Sequence, residues 1–224
     1  MYDKLRFQII RTRGATEFSH LADVLDECNE ITNRKTKEQR LVGRLGNLVV
    51  SEKPWGLSIV GSLNKWYHNG NNIEPFSRVQ MVEAIDNLSE ELCVDVWGAN
   101  VSAMEFGYNF VVKFEPETYL AKLGSLPRRI RNQVTNNSLY YTRKGKKQPD
   151  TFVFYDKVKE FNTDKLNRLN NVKFPDEFKG KHILRAEMRY DGSLGKRFKV
   201  DSVDLQTLVD PDFYSKVCDD FVGR

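Results

Sequence analysis

Cysteine and histidine are scarce in this chain, three of each in 224 residues. Cys28, Cys93 and Cys218 match no zinc-type pair spacing and suit a reduced, intracellular protein. His20, His68 and His182 are too few for a histidine-rich metal centre. No apolar run is long enough to span a bilayer, and the first residues do not form a signal peptide. The expectation is a protein of the cytoplasm with no membrane partner. A Walker A motif is absent, so ATP-driven unwinding is not encoded here. Serine- and cysteine-based nucleophile signatures are absent as well. No repeat, low-complexity tract or linker breaks the chain. It reads as one domain over residues 1–224, and it could be the front part of a longer protein.

Acidic residues are missing from one long window. Net charge is only +4, yet residues 118–149 contain no Asp or Glu. That window carries Lys122, Arg128, Arg129, Arg131, Arg143, Lys144, Lys146 and Lys147, interleaved with Asn132, Gln133, Asn136 and Asn137 and with Tyr140 and Tyr141. Cations beside amides and aromatics suit a nucleic-acid backbone, where neutralising phosphates releases counterions. A solvated basic loop would look the same.

Hydrophobic periodicity gives a coarse layout. A strand is read at Lys4–Ile10 and a helix over Thr16–Ile31, followed by a charged turn at Asn33–Gln39. A hairpin of Leu41–Ser51 and Leu57–Trp66 turns at Pro54-Trp55. A helix follows at Phe76–Cys93, capped by Ser77, with Val79, Met81, Val82, Ile85, Leu88 and Leu92 inward. Glu115–Leu123 and Leu126–Asn137 read as short helices, and Leu139–Thr142 and Thr151–Lys157 as strands. A polar stretch, Phe161–Lys181, includes a helix-like Leu-Asn-Arg-Leu-Asn-Asn. Val203–Val222 is helical with a break at Asp210-Pro211. The order implies an α+β fold, a mainly antiparallel central sheet with helices on one face.

Three segments share an apolar row on one strand face and a reactive row on the other: Val101–Phe114, Thr151–Glu160 and Ile183–Tyr190. Side chains alternate along a strand. Met104, Phe106, Tyr108, Phe110 and Val112 therefore oppose Ala103, Glu105, Gly107 and Asn109. Phe152 and Phe154 oppose Val153, Tyr155 and Lys157. Leu184, Ala186, Met188 and Tyr190 oppose Arg185, Glu187 and Arg189. On a shared sheet, one face is core. The other gathers two carboxylates, a tyrosine, a lysine and two arginines, which could be a phosphoryl-transfer site or only a solvated face. Tyrosine is a poor nucleophile near its usual pKa of about 10 and needs a base, a cation or a metal. Glu105 and Glu187 could share Mg²⁺ or Mn²⁺. Lys157 could lower the phenol's pKa or hold a phosphate.

Here the residues resemble a known family. Tyr155-Asp156-Lys157-Val158-Lys159-Glu160, followed by Arg185-Ala186-Glu187-Met188-Arg189, is similar to the Tyr-x-Lys-x-x-Glu and Arg-x-Glu-x-Arg segments of phage and plasmid rolling-circle replication initiators. The filamentous-phage gene II/X replication proteins are the nearest resemblance. Met104-Glu105-Phe106-Gly107-Tyr108-Asn109 resembles that family's acidic strand. Ser62-Leu63-Asn64-Lys65, followed by Gly70-Asn71-Asn72, resembles its Ser-Leu-x-Lys…Gly-x-Asn element. The resemblance implies a metal-dependent enzyme that nicks origin DNA through a 5′-phosphotyrosine and later rejoins the ends. It implies Tyr155 as nucleophile, Lys157 as its assistant, and Glu105 and Glu187 as metal carboxylates. The wider class adds a histidine pair that this sequence lacks, and His68 stands as the substitute candidate. Origin DNA would meet Lys65, Arg128, Arg129, Arg131, Tyr140, Arg143, Lys144, Lys146, Lys147, Arg185 and Arg189. Host polymerase and helicase would follow as partners. Tyr140 and Tyr141 are alternative nucleophiles. Two further readings share these residues: a non-catalytic nucleic-acid-binding domain, and a plasmid mobilisation relaxase.

Overall fold

The computed structural model describes residues 1–11, 18, 20–32, 39–135, 137–143 and 150–223. The first half of the chain runs β1 (Tyr2–Ile10), α1 (Leu21–Val24), β2 (Asp26–Thr32), β3 (Gln39–Leu45), β4 (Leu48–Lys53), β5 (Gly56–Ser62), α2 (Leu63–Tyr67) and α3 (Arg78–Leu92). The middle runs β6 (Asn100–Val112), α4 (Pro116–Lys122), β7 (Arg129–Thr135), β8 (Ser138–Arg143) and β9 (Thr151–Asp156). The remainder is α5 (Lys157–Thr163), α6 (Lys165–Leu169), β10 (His182–Asp191), α7 (Leu194–Phe198), α8 (Leu205–Val209) and α9 (Pro211–Val222).

The strands form one sheet in the order β2-β3-β4-β5-β1-β6-β10-β9-β8-β7. Every neighbouring pair is antiparallel, so the α+β reading holds. The main core lies on one face. It joins Leu5, Phe7, Met104, Phe106, Met188 and Tyr190 of the central strands to Met81, Ile85 and Leu88 of α3, Leu208 of α8, and Phe213 and Val217 of α9. α3 forms where it does because Ser77 and Gln80 close a capping box at its start. Its buried residues recur at helical spacing as Met81, Ala84, Ile85, Leu88 and Leu92. Val79 falls off that stripe and is exposed, contrary to the expectation that it faces inward.

Several local expectations give way to sheet pairing. Of the helix read over 16–31, residues 16, 17 and 19 lie outside the described residues, Leu21–Val24 forms α1, and Asp26–Thr32 pairs with β3 instead. Asn29, Ile31 and Thr32 are weak helix formers, and the ladder satisfies their backbone. The strand read over Leu41–Ser51 is two strands, β3 and β4, broken at Gly46, whose φ of 57° fits a tight turn. The strand read over Leu57–Trp66 stops at Ser62, whose hydroxyl accepts from the Lys65 amide at 3.0 Å and starts α2. The helix read over Leu126–Asn137 is β7, paired with β8 through a hairpin. The charged turn at Asn33–Gln39 lies, but for Gln39, outside the described residues.

The reactive face is not simply wet. A smaller apolar cluster of Ile73, Phe161 and Ile183 covers one end of it. Ile183 shares its strand face with Arg185 and Glu187, so α5 and the stretch after it cap that face. Conversely, Tyr108 and Phe110 on the core side of β6 are exposed by 56% and 42%. The strand runs past the end of the helical layer.

Candidate active site

Strand register assembles the site. β10 lies between β6 and β9, with Arg185 opposite Asn109 and Tyr155, Glu187 opposite Gly107 and Val153, and Arg189 opposite Glu105 and Thr151. Directly paired residues share a face, so Glu105, Glu187, Tyr155 and both arginines meet on one side, as the alternation predicts. Tyr140 opposes Val153 and joins them.

Asp3 is the residue that sequence reasoning missed. Strict alternation would place it on the side of Leu5, in the core. β1 carries one extra residue here: Tyr2 pairs with Phe106 and Leu5 with Met104, a bulge that turns Asp3 to the reactive face. One oxygen from each of Asp3, Glu105 and Glu187 lies within 4.8 Å of the others. The expected strand, Lys4–Ile10, began one residue too late to include it.

Arg185 organises this cluster. It is fully buried. Its guanidinium donates to Asp3 Oδ2 at 2.6 Å, Glu187 Oε2 at 3.0 Å and Asn109 Oδ1 at 3.0 Å. The Gly-x-Asn pattern in β6 has a physical reason. A Cβ on Gly107 would lie 2.7 Å from the Ala186 carbonyl oxygen and 3.2 Å from the Arg185 guanidinium. Asn109 also donates to the Ile73 carbonyl at 2.9 Å, tying the strand to the loop above. Ser62 donates to Asp3 Oδ1, and Asn72 donates to Asp3 Oδ2 at 2.7 Å. Arg189 donates to Glu187 Oε1 at 2.9 Å and lies 3.3 Å from Glu105.

The charges are unequal. Burial, followed by the neighbouring Glu187 carboxylate, pushes Glu105 up to about 8. Burial opposes ionisation of Glu187 too, yet Arg185 and Arg189 hold its carboxyl below the usual value. Asp3 is likewise held low against burial, by Arg185, Lys157 and the Ser62 hydroxyl. The set therefore cannot carry three full negative charges at neutral pH unaided. Three carboxylates at this spacing form a hard-oxygen donor set that fits a divalent cation, and added positive charge would let Glu105 ionise.

Tyr155 stands at the cluster's edge. Its hydroxyl donates to Glu187 Oε2 at 3.1 Å. Burial, then the Glu187 charge, raises its pKa well above the ordinary value. Lys157 does not continue the strand as expected. Asp156 accepts from the Lys159 amide at 3.0 Å and caps α5, so Lys157 becomes the first helical residue. Its ammonium remains near the tyrosine, 5.9 Å from the ring centre, and donates to Glu160 Oε2 at 2.6 Å. One helical turn thus explains the spacing of Lys157 and Glu160. Burial lowers the Lys157 pKa, with Arg185 adding to the effect.

A cleft of about 850 Å³ opens over this chemistry, lined among others by Asp3, Glu105, Glu187, Tyr155, Lys65 and Arg189. Lys65 reaches Asp164 at 2.7 Å and Glu160 at 3.5 Å across it. His68 is not brought to the carboxylates: its ring packs edge-on to Tyr67, with Nδ1 3.9 Å from Glu74. Tyr141 is buried on the opposite face and donates to the Gly124 carbonyl, which removes it as a nucleophile candidate. Tyr140 stays on the reactive face, with the Arg189 guanidinium 6.0 Å over its ring.

The expected DNA contacts divide. Arg185 is sealed inside and cannot touch a strand. Arg129 donates to the Tyr141 and Asp150 carbonyls at 3.1 and 3.0 Å, and Arg131 to those of Leu123 and Leu120 at 3.1 and 3.3 Å. These two brace the β7–β8 hairpin. Arg128 and Arg143 are exposed. Lys144, Lys146 and Lys147 lie outside the described residues.

The fold and site define a class: a large antiparallel sheet that buries a tyrosine beside a three-carboxylate, cation-ready cluster in an open polar cleft. A family model for the N-terminal region of the gene II replication-associated protein of phages matches residues 1–208. The chain belongs to this family of phage replication proteins. No curated protein gives a significant match to it. Among the described residues, no helix is long and apolar enough to cross a membrane.

Proposed function

We propose that this protein is a metal-dependent tyrosine DNA endonuclease and strand transferase that starts rolling-circle replication of a phage or plasmid element. The observation that carries the reading is the Tyr155 hydroxyl, 3.1 Å from Glu187 within the carboxylate cluster. The Tyr155 oxygen attacks a backbone phosphorus, and the bond to the 3′ oxygen breaks. The 5′ phosphate stays on the tyrosine, the leaving 3′ oxygen takes a proton from solvent, and the resulting 3′ hydroxyl serves the host polymerase. Rejoining reverses these steps.

Each neighbour has a part. Glu187 Oε2 accepts the hydrogen bond that orients the phenol, and the phenol's proton passes to solvent as its oxygen attacks. Arg185 fixes Asp3 and Glu187 without touching DNA. Lys65 places an ammonium at the cleft wall, balanced by Asp164 and Glu160, and Lys157 stands buried behind it, beside Tyr155. Asp3, Glu105 and Glu187 would hold Mg²⁺ or Mn²⁺, which polarises a phosphodiester and stabilises a phenolate. Origin DNA lies across the cleft, with Arg189, Tyr140, Arg128 and Arg143 along its path. Host polymerase and helicase then act on the nicked origin, so the work falls in the cytoplasm of the bacterial host.

The test is a nicking assay on supercoiled DNA carrying the element's own intergenic region, with Mn²⁺ or Mg²⁺. Wild type should leave nicked DNA with protein attached, and Tyr155→Phe should leave neither. Attachment that survives the substitution would sink the assignment of Tyr155. Binding without cleavage by wild type in either metal would sink the enzymatic reading.

A further inference from the structure

Helix α5 has a second side that this chemistry does not use. Glu160 lines the cleft, whereas Asp156, Val158, Lys159 and Asn162 line a separate hollow of about 420 Å³. The helix is thus a partition about 10 Å thick between the two. Phe174 and Phe178 form the hollow's apolar wall and rest on the cluster of Ile73, Phe161 and Ile183. Its polar side carries Lys181 and His182. The Lys181 ammonium sits 5.5 Å from the centre of the Phe178 ring.

The acids at this hollow are already engaged. Asp156 caps α5, and Glu115 lies 3.7 Å from His182. Lys159 donates to Glu117 at 2.5 Å. Two lysines and two carboxylates leave the lining without net charge. That balance does not suit an isolated phosphate. It suits a flat, neutral group with polar edges, flanked by phosphates that Lys181 can meet at the mouth.

We infer that this hollow takes one unpaired nucleobase of single-stranded DNA whose backbone lies in the cleft. The inference rests on the reading of that cleft as a DNA site. A base offers an aromatic face to Phe178 and hydrogen-bonding edges to Asn162 and His182. α5 then serves as a fence: the strand passes over it, with the reacting phosphate on one side and a held base on the other. Such a base fixes the register of the strand relative to Tyr155.

The test compares two labelled probes by fluorescence anisotropy. One is an oligothymidylate of about 12 nucleotides; the other has the same backbone and length but is fully abasic. Wild type should prefer the base-bearing probe by roughly tenfold, the worth of a stacked base. Phe178→Ala should lose most of that preference while holding the abasic probe as before. Phe178→Leu, which keeps apolar bulk and protects the fold, should behave the same way. A preference that survives in both variants overturns the inference, and so does a wild type that binds both probes alike. Running the nicking assay beside it separates the two ideas. Covalent attachment with an unchanged preference in the variants overturns the base site alone. A preference lost in the variants, with no attachment by wild type, supports the base site and overturns the nicking reading alone.

Discussion

The two faces of the central strands are both buried, but by different chemistry. On one face Met188 and Tyr190 of β10 and Met104 and Phe106 of β6 sit among apolar side chains, and burial itself stabilises them. On the other, Arg185, Glu187 and Asp3 are just as buried, and there burial is the cost. That face stands only because each charged atom finds a partner. The apolar face tolerates changes of shape within limits, whereas the charged face is an all-or-none network. It is the face with chemistry to perform.

Removing one group from each face puts this contrast to the hardest test. Arg185→Met should cost about 3–5 kcal/mol, because it strands two buried carboxylates. Met188→Ala should cost about 2–5 kcal/mol as a simple cavity. Urea unfolding at several pH values tells the two apart. Asp3 and Glu187 have folded pKa values below their unfolded ones, because Arg185 outweighs the opposing effect of burial. The stability they give is present above the unfolded carboxylate pKa and is lost as pH falls through the folded one. The Arg185→Met deficit should therefore shrink in acid while the Met188→Ala deficit stays constant. Equal pH dependence for both would erase the distinction between the faces.

Glu105 supplies the opposite sign. Its folded pKa of about 8 exceeds the unfolded value. The folded state then binds more protons between about 4.5 and 8, so stability should fall as pH rises through that window. A difference of one pKa unit between the folded and unfolded states is worth about 1.4 kcal/mol. Thermal melts with a chelator present should show that decline in wild type and a flatter curve in Glu105→Gln. A decline of the same size in the variant would assign it to another group.

Gly107→Ala comes next, at about 1–3 kcal/mol, because a methyl there meets the Ala186 carbonyl and crowds the Arg185 guanidinium. Denaturation midpoints check it, and a neutral result would remove the steric account of that glycine. Tyr155→Phe should have the smallest effect on stability, about 1 kcal/mol for one hydrogen bond, while abolishing covalent attachment to DNA. A large loss of stability would make Tyr155 a structural member of the network.

Much of the site was legible because strand alternation is a local rule. Glu105, Glu187, Arg189 and Tyr155 share a face as the period of two requires. What failed did so for identifiable reasons. Asp3 was hidden by a bulge, which breaks the period that alternation depends on. Residues 26–31 and 129–135 read as helical, yet strand partners claimed them. Arg185 looked like a phosphate grip because its charge was visible and its burial was not.

Spacing and residue type act over a few neighbours. They were enough to dictate the α+β class, the capped helix at Ser77, the reactive row on each central strand and the resemblance to replication initiators. Long-range packing settled the rest. It sealed part of the reactive row under α5 instead of leaving it open. It set Asp3 against Arg185, 182 residues away in the chain, and aimed His68 at Glu74 and away from the carboxylates. Pairing of distant strands sets which charges meet, and burial sets what their meeting is worth.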